Sequence, residues 1–288
     1  MGRGSWSKEA FVGYCTTACS LDASAVESLR YTGELSSDYK FQDLYTAQTV
    51  SERLNPVGVT RECRDNEEHP NTKPAIIGLD VTGSMGDAAT EVARKLNTIL
   101  TRLYDDVQDV EFCVMGIGDV ECDRHPLQVS QFESDIRIAE QLGEVYFEFG
   151  GGANPYESYS LAWYFALHHT DLDCWKRGER GLIITLGDEP LNPVLSASNL
   201  RKFVGDTPQE DVETDQLYKD VIEKYDVYHI NVRHGKSSSW DARIENSWKL
   251  LGQNFITVGL DDVDDAIVNI VKQHAGVGSV TTPNEISW

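Results

Sequence analysis

From Pro74 onward the chain alternates short apolar runs with longer stretches of helical spacing, and that alternation leaves little choice of fold. The runs are AIIGLD (75–80), VEFCVMGI (110–117), EVYFEF (144–149), GLIITLG (181–187), DVYHINV (226–232) and NFITVG (254–259). Strands separated by helices argue for a parallel sheet, because each crossover helix carries the chain back to the end at which the preceding strand began. In the first intervening stretch, Ala89, Val92, Ala93, Leu96, Ile99, Leu100 and Leu103 recur at the spacing of one buried helix face. Further helices are expected over 155–169, 213–225, 240–251 and 262–274. The expected fold is α/β: a doubly wound, mostly parallel six-stranded sheet flanked by helices, Rossmann-like, over residues 73–276.

Residues 1–72 are expected to form an N-terminal extension that packs on or beside this core. Within it, SAVESLR and YKFQDLYTAQTVSERL have helix-compatible spacing, with Leu29, Phe41, Leu44, Val50 and Leu54 as anchors. The stretch RECRDNEEHPNTKP, with Pro70 and Pro74, reads as an exposed approach to the first strand. Residues 233–239 read as a loop and 277–288 as a tail.

With 47 Asp and Glu against 25 Lys and Arg, the formal charge is -22, which repels phosphate backbones and anionic headgroups. Nucleic acid and membrane surfaces are therefore poor partners, whereas another protein, or a second copy of this one, is not excluded. The basic start MGRGSWSK is not followed by an apolar run, and nothing approaches the ~20 apolar residues that a membrane span needs. Trp6 stands where N-myristoylation needs Ser or Thr. Six cysteines lack the paired spacing of a zinc site, and CTTAC at Cys15 and Cys19 has no second pair near it. Reduced thiols and a cytoplasmic location are the expectation.

In an open parallel sheet, ligands bind beyond the carboxyl ends of the strands, where neighbouring crossovers leave to opposite faces. Two of the runs end there in acid: AIIGLD stops at Asp80, and GLIITLG is followed by Asp188 and Glu189. After Asp80, alternate residues Thr82 and Ser84 add oxygens that an extended loop would point the same way, towards one hard cation. Gly83 and Gly86 permit the turn, and Asp87 lies in the first turn of the next helix. The competing reading is a plain N-cap, a role Asp, Thr and Ser all fill. A third loop, Gly150-Gly151-Gly152-Ala153-Asn154-Pro155-Tyr156-Glu157-Ser158, is expected at the same edge.

The segment Asp80-Val81-Thr82-Gly83-Ser84, with its apolar strand before, amphipathic helix after and distant strand-end Asp188, resembles the Asp-x-Ser/Thr-x-Ser signature of von Willebrand factor A (vWA) domains. The resemblance spans roughly Lys73 to Gly276. It implies a metal-ion-dependent adhesion site (MIDAS) in which Asp80, Thr82, Ser84 and Asp188 hold Mg2+, or Mn2+ or Ca2+, with Asp188 acting through water. A partner's carboxylate then completes the shell. The family places a Thr after Gly-Gly in its second loop; here Ala153 cannot ligate, and the GGG...PE pattern is similar to that of some stand-alone A-type domains. Asn154 and Glu157 become the candidates. A direct Glu157 ligand would weaken the pull on an outside carboxylate. The function implied is a divalent-metal-dependent protein-interaction module, not an enzyme, like stand-alone bacterial or phage vWA proteins.

Two other classes remain. A structural or assembly subunit could use the same fold as scaffold. A magnesium-dependent phosphoryl transferase could use a strand-end Asp as nucleophile, but the haloacid-dehalogenase pattern wants a second Asp where Thr82 stands. Neither a GKS/GKT phosphate cradle nor a G-x-S-x-G elbow is present. Asp119, Glu121 and Asp123 in GIGDVECDRHP read as a solvated loop rather than a second cation site. His168 and His169 are expected at a helix end, and Trp163, Tyr164 and Phe165 in the core.

Overall fold

A computed structural model describes residues 4–19, 21–148, 155–233 and 238–277. Its centre is a sheet of β1 (Lys73–Asp80), β2 (Val110–Ile117), β3 (Leu127–Val129), β4 (Gly181–Gly187), β5 (Tyr225–Val232) and β6 (Phe255–Val258). The spatial order is β6-β5-β4-β1-β2-β3, parallel throughout except for the antiparallel pair β2–β3. The chain starts at β1, runs outward through β2 and β3, and returns to β4 on the other side of β1. The order therefore reverses between β1 and β4.

Alternation along each strand feeds two separate hydrophobic layers. Ala75, Ile77 and Leu79 of β1 and Leu182, Ile184 and Leu186 of β4 face one layer. Ile76 and Ile183 face the other. The first layer receives α3 (Gly86–Asp106), α4 (Arg137–Gly143) and α9 (Val263–His274). The second receives α5 (Tyr159–His168), α6 (Ala197–Phe203), α7 (Thr214–Val221) and residues of α8 (Ser238–Ser247). Residues 159–166 of α5 are all buried, so this helix is apolar around its whole circumference rather than along one stripe. Since α3 and α5 lie on opposite faces, the crevice between β1 and β4 opens at their carboxyl ends.

Up to Leu54 the N-terminal segment packs against the first layer, whereas Arg61–Cys63 pairs in parallel with Thr170–Leu172 and places Cys63 in the second, so the stretch expected to be an exposed approach is partly buried, His69 and Thr72 included. Helices α1 (Lys8–Ala18) and α2 (Ala23–Thr32) bring Phe11, Val12, Cys15 and Leu29 into the cluster that holds α3. Each such buried side chain contributes on the order of 2 kcal/mol. One buried amide joins the parts: Trp6 Nε1 donates to Asn97 Oδ1 at 3.1 Å, and Asn97 Nδ2 donates to Gly33 O at 2.9 Å. The run YKFQDLYTAQTVSERL is not one helix. It forms a single turn at Phe41–Leu44 and a 3-10 turn at Glu52–Leu54, because Tyr45 turns away to donate to Ala89 O and Ser51 caps a new start.

The expected strand over 144–149 is also corrected, residue 149 being outside the described residues. Residues 145–148 are not strand. Gln128 of β3 takes up the backbone of this segment with its side chain, donating to Tyr146 O at 2.7 Å and accepting from Tyr146 N–H at 2.9 Å. The segment then lies over Gly116, where an added Cβ would come within 3.1 Å of Val145. Phe147 packs edge-on against Phe41 and Tyr45, at 4.6 and 4.7 Å between ring centres. Its apolar character thus serves face packing, and the sixth strand is β3, at three residues too short to stand out in the sequence.

Candidate metal centre

The ends of β1 and β4 are neighbours, so Asp80 and Asp188 meet at the switch point of the sheet. Asp80 is 0% exposed and Asp188 1%. Backbone pairing continues one residue past β1, with Val81 N–H donating to Ile117 O, and the chain then turns. Asp80 Oδ1 accepts from the Thr82 N–H at 2.9 Å and from the Thr82 hydroxyl at 2.6 Å. The stretch expected to be extended up to Ser84 is a 3-10 turn over Gly83–Met85. That turn still brings Ser84 Oγ to 3.3 Å from Thr82 Oγ1, and the Ser84 hydroxyl donates to Asp188 Oδ1 at 3.0 Å. A continuous row of oxygens, Asp80–Thr82–Ser84–Asp188, joins the two strand ends. Asp80, Thr82 and Asp188 are buried and Ser84 is exposed, which makes Ser84 the side open to solvent.

These side chains do not cap the following helix. Thr82 makes no side-chain cap hydrogen bond to the 3-10 turn, and the residue at the N-cap of α3 is Met85, which makes none either. The plain N-cap reading therefore fails on geometry.

Of the third loop, Gly150 to Asn154 lie outside the described residues, Asn154 among them. Glu157 is described. Its N–H donates to Pro190 O and its carbonyl accepts from Asn192 N–H, which stitches it to the loop carrying Asp188. The side chain is 8% exposed, and Oε2 is buried with no hydrogen-bond partner among the described residues. Burial pushes the Glu157 carboxyl up to about 10, and Asp80, Asp119, Asp123 and Glu189 push it the same way. Asp80 is likewise pushed up to about 7 by burial and then by Asp188, against donation from Thr82 and Tyr159. Several carboxyls thus converge where ionising any one penalises the others.

Tyr159, the first residue of α5, is a contributor that the sequence reading passed over. Its phenol donates to Asp80 Oδ2 at 2.7 Å. The available signal was Gly187, a glycine ending a buried strand just before Asp188, which marks a close approach. Asp119 and Asp123 correct another expectation. They are 4% and 8% exposed rather than solvated, because Asp123 Oδ2 accepts from the Asp119 N–H at 2.7 Å, and Gly118 leaves room for it. Trp163, Tyr164 and Phe165 are core residues, and His169 pairs with Asp206 at 2.8 Å beyond the end of α5.

As a donor set the site is made of oxygens, suited to Mg2+, Mn2+ or Ca2+ rather than to thiolate-seeking ions. The buried Glu157 oxygen without a donor fits a cation ligand. Among the described residues no group of three or more His, Cys, Asp or Glu stands at metal-binding spacing, so hydroxyls of Thr82 and Ser84 would have to supply part of the shell.

No protein-family model and no curated protein sequence matches the chain. Solved structures do. The pilus adhesin SpaC from Lactobacillus rhamnosus GG superposes with a TM-score of 0.51 at 12% identity, over 76% of this chain and 32% of the adhesin. This chain therefore spans about a third of that protein, and the likeness is one of fold. The vWF domain of the type V pili tip protein Mfa5 from Porphyromonas gingivalis aligns over 75% of this chain and 98% of its own length, at 12% identity and a TM-score of 0.45.

Proposed function

We propose that this chain is a vWA-type protein-interaction module whose binding site is built around a divalent cation. Asp80, Thr82, Ser84, Asp188 and Glu157 are its ligands, with Asn154 a further candidate. The reading is carried by the row of oxygens across the ends of β1 and β4: Thr82 Oγ1 to Asp80 at 2.6 Å, Thr82 to Ser84 at 3.3 Å and Ser84 to Asp188 at 3.0 Å. When bound, the ion supplies Lewis acidity and a coordination position that an incoming oxygen can take.

The protein groups divide the work. Asp80 and Asp188 set the negative charge at the floor, and their burial keeps bulk water from screening it. The hydroxyls of Thr82 and Ser84 orient without adding charge, so the ion stays electron-poor. Glu157 lowers that positive character in proportion to how closely it approaches. Exposed Ser84 marks the side from which a partner's carboxylate would arrive. The partner is a protein, since the charge of -22 repels nucleic acid and anionic membranes, and no helix among the described residues is long and apolar enough to cross a membrane.

The direct test is thermal unfolding with and without Mg2+ or Mn2+. Wild type is expected to melt higher with metal and Asp80→Ala to show no shift. Equal shifts in both proteins would remove the site from consideration. A pull-down from the native host with and without EDTA then tests the partner.

A further inference from the structure

Resting on the metal-site reading, we propose that Tyr159 is the positioning residue of this centre: its phenol fixes the Asp80 carboxylate in the orientation that a cation requires without neutralising it. Three observations carry this.

Asp80 is held on both oxygens by neutral donors. Oδ1 accepts from the Thr82 N–H and hydroxyl, and Oδ2 accepts from the Tyr159 phenol at 2.7 Å. Among the described residues no Lys, Arg or His pairs with it. Two other buried acids are handled differently: Asp264 meets Lys95 at 2.9 Å, and Glu133 meets Arg137 at 2.9 Å. A cationic neighbour would satisfy Asp80 and abolish its pull on a metal ion. Neutral donors lock its rotamer and leave the charge in place.

The phenol is itself immobilised. Tyr159 is fully buried, with its ring 5.2 Å from Trp248 and 5.0 Å, edge-on, from His229. Trp248 Nε1 donates to Glu189 O at 3.1 Å, so the same aromatic wedge also fixes the loop that carries Asp188. One packing unit sets the relative position of two proposed ligands.

The space for this contact is reserved in the sequence. A Cβ at Gly187 would stand 1.8 Å from the Tyr159 hydroxyl oxygen, so any side chain at that position would expel the phenol. The glycine lies at the end of β4, next to Asp188, where it admits Tyr159 to Asp80.

The experiment is calorimetric titration of the full chain with MnCl2, comparing wild type, Tyr159→Phe and a variant with para-aminophenylalanine at the same position. Phenylalanine keeps the ring against Trp248 and His229 but removes the donor; the amino analogue restores a donor. Loss of an outer donor to a ligating carboxylate typically weakens metal affinity roughly 10- to 100-fold, and that is the loss expected for Tyr159→Phe, with recovery in the amino variant. If wild type binds Mn2+ and Tyr159→Phe binds it equally well, the positioning role is overturned while the metal site stands. Equal weakening in both variants would likewise overturn it, since that pattern reports packing. Absence of Mn2+ binding by wild type would overturn the metal-site reading and this proposal with it.

Discussion

Replacing Asp80 with Asn separates the charge of this residue from its shape. Burial and the Asp188 carboxylate push the Asp80 carboxyl from its ordinary 3.8 to about 7. At 1.36 kcal/mol per pH unit, the ionised form costs the metal-free fold about 4 kcal/mol. Because the folded value is raised, the stabilising contribution of the protonated form is complete below about 3.8 and is lost as the pH rises through about 7. Asparagine carries no such charge. Its Oδ1 can keep accepting from the Thr82 N–H and hydroxyl, and its Nδ2 can donate to the Tyr159 oxygen, which turns from donor to acceptor. That exchange costs on the order of 1 kcal/mol. In EDTA at about pH 8.5, Asp80→Asn is therefore expected to be about 3 kcal/mol more stable than wild type in urea unfolding, and no more stable than wild type at about pH 4. Burial, the largest cause of the raised Glu157 carboxyl, is common to both proteins, and the further push from Asp80 is relieved in the variant, which acts in the same stabilising direction. Mg2+ at about 100 times its dissociation constant adds about 2.7 kcal/mol to wild type and nothing to the variant, which closes the gap. A variant less stable than wild type in EDTA at the higher pH would refute the reasoning, since the buried carboxylate would then not be a liability that a cation relieves.

Gln128→Leu removes both hydrogen bonds to Tyr146; a loss of about 1–3 kcal/mol is expected, with faster hydrogen exchange at the Tyr146 amide as the specific sign. Unchanged exchange there would mean that face packing alone holds the segment. Cys122 is exposed and Cys19 half-buried, while Cys15, Cys63, Cys113 and Cys174 are buried, so a thiol reagent on the folded protein should react at Cys122 and Cys19 before the other four. Cys122→Ser should remove one thiol from that fast phase.

Much of the fold was legible because buried parallel strands announce themselves. AIIGLD and GLIITLG have no polar face to hide, and the helical spacing between runs permits little besides crossovers. The failures share a cause. Val145 and Phe147 read as strand because apolar alternation cannot distinguish a ladder from a segment laid across a sheet face and pinned by a glutamine side chain. YKFQDLYTAQTVSERL read as helix because its breaks come from contacts distant in sequence, such as Tyr45 with Ala89. The meeting of Asp80, Thr82, Ser84 and Asp188 at one sheet edge could be read in advance, since strand-end acids at a switch point follow from topology. Tyr159 could not, because its role depends on the depth to which α5 is buried and on the close approach of its ring to Gly187. Asp119 and Asp123 misled because composition makes them look solvated, whereas backbone N–H groups in their own turn take up their charge.

Helix α3 begins at the turn that carries Ser84, and its outer flank is gripped twice, by Tyr45 at Ala89 and by Trp6 through Asn97. Sliding it by one turn, about 5.4 Å, would break these fastenings together. A one-turn slide of the helix is thus tied to release of the N-terminal segment at two points. The loop beyond β4 is held differently, with Trp248 donating to Glu189 O.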